Sequence, residues 1–157
     1  MKYLKYVIIL ICPLLLFCNK EHLPEYYFMC KVNGQEYIPN KCANCIQAEI
    51  LEDTILMLRG NRDFETLGIG IIDSYGIKVG TYLLNESNGR RGDYKFTPAT
   101  NDRYFTNDVN RGQLTITAID KVNSIIVGNF SFKAYNSLRN EVVDIIDGRF
   151  RLIYRKY

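Results

Sequence analysis

The chain has 157 residues, 47% of them hydrophobic and 24% charged, with a formal net charge of +3. That length supplies one compact domain with its own core, and the near balance of charge gives no basic stripe of the kind a nucleic-acid surface needs. The single histidine, His22, leaves little for a metal centre or a Ser-His-Asp triad. In chain order, Lys2 and Lys5 precede an apolar run from Val7 to Phe17 interrupted by Pro13, the layout of a secretory signal. As a helix this run rises roughly 16 Å, about half of the bilayer core, which is too short for a permanent span.

The run stops at "LLLFC", residues 14–18, and no small-x-small cleavage site lies between Leu14 and Leu23. This stretch resembles the lipobox of bacterial lipoproteins, in which the cysteine is acylated and becomes the first mature residue. The resemblance implies lipidation at Cys18, loss of residues 1–17 together with Cys12, and attachment to a membrane through N-terminal acyl chains. Phe17 stands where that pattern usually has a small residue, as in the looser lipoboxes of Bacteroidetes. "NKE" at 19–21 resembles the signal that sends such lipoproteins to the outer face of the outer membrane, so the expected address is the cell envelope, at the outer membrane and surface-exposed. Two or more chains suffice physically, since each buried CH₂ contributes about 0.8 kcal/mol and one chain alone binds only marginally. The leader takes two lysines and no acid, so the mature chain falls from +3 to +1.

Residues 18–29 read as a tether that merges into the first strand, and 30–157 as a single all-β domain. "FMCKV" and "QEYI" flank Asn33-Gly34, a tight hairpin signal. "NCIQAEILED" is the one helical candidate, a single turn or one more strand. "TILMLRG", "TLGIGII", "GIKVGTYLL" and "DYKFT" follow as strands. Leu114, Ile116 and Ala118 then alternate with Thr115, Thr117 and Ile119; Phe130, Phe132 and Ala134 with Asn129, Ser131 and Lys133; Phe150 and Leu152 with Arg149 and Arg151. Period two with β-branched and aromatic residues marks half-buried strands. "SNG" at 87–89, "NRG" at 110–112 and "DGR" at 147–149 supply turns. Nine or ten short antiparallel strands with small loops predict a β-sandwich, with a closed lipocalin-like β-barrel as the alternative. The absence of βαβ spacing excludes a dinucleotide or P-loop fold.

"FMCKVNGQEYIP" (28–39), "VGTYLL" (79–84), "GQLTITAIDKVNSIIVGNFSFKAYN" (112–136) and "VVDIIDGRF" (142–150) together resemble a domain-of-unknown-function family of small Bacteroidetes envelope lipoproteins. The resemblance implies an all-β envelope lipoprotein and transfers no catalytic residue, cofactor or substrate.

Three cysteines remain in the domain: Cys30, Cys42 and Cys45. "KCANC" lacks the strand–helix setting of a redox CxxC, and His22 lies too far out in the tether to complete a zinc set with three thiolates. A structural disulfide is the expectation, from Cys30 to Cys42 or to Cys45, worth roughly 3 kcal/mol by loop closure; a Cys42–Cys45 bond closes a very short ring. "TNDRYFTND" at 100–108 offers Asp102 and Asp108 as oxygen ligands but not at EF-hand spacing. "RRGD" at 90–93 contains Arg-Gly-Asp, equally suited to an ordinary turn. In "LGIGI", 67–71, Leu67, Ile69 and Ile71 share one face, while Gly68 and Gly70 leave the other bare, open to an aromatic ring or a ligand. Tyr82, Tyr104 and Tyr135 are candidates for a binding surface. No catalytic residue, metal or cofactor is expected. The predicted role is a lipid-anchored, non-enzymatic binding or structural module, its partner a glycan or an envelope protein and not nucleic acid. The alternatives are a module for a glycan or a small apolar ligand, and a carboxylate-dependent glycan hydrolase.

Overall fold

The structure, a computed structural model, describes residues 25–97 and 103–157. Cys12, Cys18, His22 and Asp102 lie outside that range. Among the described residues, twelve strands form one mixed sheet that folds over on itself. β1 (Tyr27–Val32) and β2 (Gln35–Tyr37) make the first hairpin. Asn33 and Gly34 both take positive φ, 49° and 81°, the backbone that a two-residue turn between twisted strands requires. β1 begins at Tyr27, and Phe28 already belongs to the core at 1% exposure.

β3 (Ile46–Leu51), β4 (Ile55–Arg62) and β5 (Glu65–Ile72) follow as an antiparallel meander. β6 (Gly80–Leu84), a 3-10 turn at Glu86–Asn88, β7 (Arg91–Lys95) and the short β8 (Arg103–Phe105) come next. β9 (Gly112–Asp120), β10 (Ile125–Asn136), β11 (Glu141–Ile153) and β12 (Arg155–Lys156) complete the chain. The helical alternative for residues 44–53 does not form: Ala48 and Ile50 are buried with period two, as on any half-buried strand.

The strand order is β12-β3-β4-β5-β7-β8-β10-β11-β1-β2, with β9 and β6 continuing from β10. The fold of the sheet lies at β10. It pairs with β9 from Ile125 to Phe132 and with β8 at Tyr135, so one long strand feeds both layers. β12 and β2 at the two ends of the path are not paired; the sheet stays open, and the closed lipocalin-like barrel is not what forms. All pairings are antiparallel except β12 with β3.

The layers meet on a core of aliphatic and aromatic side chains. Phe28, Phe132 and Phe150 surround Phe130 with ring centroids 5.2, 6.3 and 6.4 Å from it. Tyr37 donates its hydroxyl to the Gly60 carbonyl at 2.8 Å, a buried link between β2 and β4.

Two readings of phase are corrected. Ala118 is exposed and Ile119 packs on the core, because the β9–β10 register slips between the Val127–Ala118 and Gly128–Ile116 pairs. One extra residue in a strand turns everything beyond it to the other face. "DGR" at 147–149 is not a turn between strands. Asp147, at φ 55°, is an inserted residue inside the 13-residue β11, so Val143 and Ile145 point inward before it and Gly148, Phe150 and Leu152 after it.

A candidate ligand groove on the outer face of the sheet

Of the three cysteine pairings that the sequence leaves open, the one between the two nearest cysteines forms. Cys42 and Cys45 form the disulfide, with Cα atoms 5.2 Å apart, and Asn44 turns the chain at φ 71° to close the short ring. Cys30 is not in a disulfide: its side chain points from β1 into the core at 4% exposure, while Cys42 lies in an exposed loop. With both sulfurs of "KCANC" bonded together, no three-thiolate set exists. Burial pushes the Cys30 thiol up to about 12 from 9.0. An acid whose folded pKa is raised contributes nothing while it is neutral in both states, and it disfavours the folded state once the unfolded chain ionises it. Above pH 9 the unfolded chain ionises this thiol and the folded chain does not, so stability falls as pH climbs from 9 toward 12. Thermal melts between pH 8 and 11 should show that decline, and Cys30→Ala should flatten part of it.

The three tyrosines do not make one surface. Tyr82 is buried, its hydroxyl accepting from the Lys78 N–H and donating to the Lys78 carbonyl. Tyr104 is buried and donates to Glu141 at 2.9 Å. Tyr135 is half-buried, on the neighbouring strand, and donates to Asn140 in the β10–β11 turn. In "GTYLL" and "RYF", the tyrosine holds the inward position of its strand.

"RRGD" is no exposed loop: Arg91–Lys95 is β7, in the middle of a layer, and a Cβ on Gly92 would stand 2.8 Å from the Phe132 ring. In "TNDRYFTND", residues 100–102 lie outside the described range. Asp108 accepts from Ser87 and Asn85, and the Asn107 side chain accepts from the Val109 and Asn110 N–H groups. Among the described residues, no three His, Cys, Asp or Glu side chains gather as a metal-ligand set.

"LGIGI" does build a site. Leu67, Ile69 and Ile71 face the core; on the opposite face Gly70 is open, and Gly68 is covered by the Asp93 side chain. Across the sheet, Gly68 pairs with Arg59 of β4 and Asp93 of β7, and Gly70 with Met57 and Arg91. The two glycines thus floor an open groove of about 460 Å³, a volume in the range of small-molecule sites. Ile55, Met57 and Ile72 line its apolar part; Arg59, Arg91 and Asp93 line its charged part.

Asp93 depends on Gly68. Its carboxylate lies so close over β5 that a Cβ on Gly68 would stand 3.1 Å from the carboxyl carbon. It makes no hydrogen bond or ion pair among the described residues. Burial holds its carboxyl above the usual aspartate range, and the charges of Arg91, Arg103 and Arg59 offset this only in part. Arg91 crosses the ring of Phe105 at 4.6 Å, with Arg103 on the same ring at 5.9 Å.

Fold and site together define an all-β sandwich protein with an open, charge-lined groove on one sheet face. More particularly, the chain belongs to the family described as domain of unknown function DUF6252, whose profile matches residues 28–153. Comparison with curated proteins and with solved structures found no match.

Proposed function

We propose that this is a lipid-anchored cell-envelope protein, held by acyl chains at Cys18, whose β-domain binds a small amphipathic carboxylate in the groove over Gly68 and Gly70 without transforming it. The observation that carries the reading is the Asp93 carboxylate, lowered over a glycine and left without a hydrogen-bond partner among the described residues. The carboxylate lines the open groove, where water or a ligand N–H or O–H donor completes its shell, and a ligand donor there gains a charge-assisted hydrogen bond. The Arg59 and Arg91 guanidiniums beside it suit a carboxylate by paired hydrogen bonds, and Met57 and Ile72 receive an apolar substituent.

Other occupants fit less well. Among the described residues the groove has no aromatic lining on which a sugar ring would stack, and it is open rather than enclosed as an apolar carrier site would be. Its carboxylates are Glu49 on β3, Glu86 in the 3-10 turn and Asp93 on β7. Glu49 and Asp93 are three strands apart, roughly 14 Å of sheet at about 4.8 Å per strand, whereas paired glycosidase carboxyls lie about 5–9.5 Å apart.

Thermal-shift titration of the full chain in detergent with N-acetyl-leucine and dileucine tests the reading. Wild type should gain melting temperature in a saturating manner, and Gly70→Trp, which fills the groove, should gain none. No shift in wild type with either probe, or an equal shift in Gly70→Trp, contradicts it. Asp93→Asn should raise the melting temperature of the ligand-free chain at pH 7, because it removes the partly buried charge, and should weaken the response to both probes.

A further inference from the structure

We infer that the end of the sandwich from which the N-terminal segment leaves is seated on lipid headgroups, with Val122, Tyr75 and Ile153 as its inserting tips; this rests on acylation at Cys18. β1 begins at Tyr27 opposite Arg151, near the end of β11, and Ile153 pairs with Ile125 at the start of β10. The β9–β10 turn, residues 121–124, is at the same end, tied down by the hydrogen bond from the Tyr154 N–H to the Ser124 carbonyl. Lys156 pairs with Asp53 at 2.9 Å, bringing in the β3–β4 turn, and the Asp53 carbonyl accepts from the Ile77 N–H, bringing in the loop that carries Tyr75.

This end exposes Val122 at 91%, Tyr75 at 85%, Tyr157 at 64% and Ile153 at 55%. Isolated apolar tips beside tyrosines suit the headgroup level, where a ring buries its body and keeps its hydroxyl wet. Lys121, Arg151 and Arg155 stand among them, beside the acids Glu25 and Glu52, while Lys156 is taken up by Asp53. Two of the nearby acids are engaged, Asp53 with Lys156 and Asp120 with Asn123 and the turn N–H groups. Phe64 and Leu138 are exposed at the opposite end, so apolarity alone does not choose between the ends.

The attachment chooses. Glu25 is seven residues beyond Cys18, and seven residues fully extended reach at most about 25 Å. Acyl chains therefore keep this end, and not the other, at the membrane surface, where tethering makes even weak insertion effective.

Nitroxide labels at Val122→Cys and, separately, Leu138→Cys test the seating. The full acylated chain is reconstituted into phosphatidylethanolamine–phosphatidylglycerol vesicles; the label goes to the new thiol because Cys30 is buried and Cys42 and Cys45 are bonded. The expected result is a ratio of oxygen to water-soluble nickel collisions several-fold higher at 122 than at 138. Equal, water-like ratios in vesicle-bound protein overturn the seating and leave the anchorage standing. A chain that stays in the supernatant overturns the anchorage and the seating with it.

Discussion

Phe150→Ala should lower the unfolding free energy by about 3–5 kcal/mol, the range for a large aromatic removed from a core. Phe150 is fully buried, paired with Phe28 on β1 and with Gly128 on β10. Its ring stands over Gly128 so closely that a Cβ there would lie 2.6 Å from the ring tip. The space it leaves is walled by three strands hydrogen-bonded to one another, and strands fixed on both edges cannot move in to fill it. A domain of this size has about 5–15 kcal/mol in total, so the variant should fold but melt far earlier. Urea titration should show the midpoint fall with the slope unchanged. A loss under about 1 kcal/mol would mean that the aromatic cluster does not hold the layers together as described.

The parts of this fold legible in the sequence are those where neighbouring residues decide. Phe130, Phe132 and Ala134 alternate without interruption, and the structure buries all three. Asn33-Gly34 makes its turn from local backbone preference alone. Phase was lost where an inserted residue sits inside a strand. Asp147-Gly148 has turn chemistry, and a turn and a bulge ask the same left-handed backbone of the first residue. Only pairing on both sides, with β1 and β10, makes it a bulge. Cys30 was open to either reading for a similar reason: its inward phase on β1 is set by Phe28 and Val32, whereas the Cys42–Cys45 ring depends on Asn44 turning left-handed.

The groove was half legible. Two glycines alternating with Leu67, Ile69 and Ile71 announce a strand with one bare face. That Arg59 and Asp93 flank Gly68 follows from the β4–β5 and β5–β7 registers. The second of these joins strands separated by β6 and a 3-10 turn, and no local pattern encodes it. Tyr82 and Tyr104 were assigned to a surface on residue type, although each shares its strand face with inward positions. Buried tyrosines with bonded hydroxyls are ordinary core residues.

Cys18→Ser should release the chain from membranes completely, a larger effect than any substitution within the domain. Acyl chains contribute about 0.8 kcal/mol per buried CH₂, so two chains outweigh whatever the tips at Val122 and Tyr75 add. Without them, those tips would bind vesicles only transiently.

In the proposed reading, anchorage at Cys18 gives the groove its place and the sandwich its orientation. The most direct test is the intact mass of the protein extracted from the membranes of a host that processes lipoproteins, compared with Cys18→Ser. The expected result is residues 18–157 plus acyl chains in the membrane fraction for wild type, and an unacylated, released species for the variant. A wild-type chain that is soluble, unacylated and cut elsewhere would contradict it.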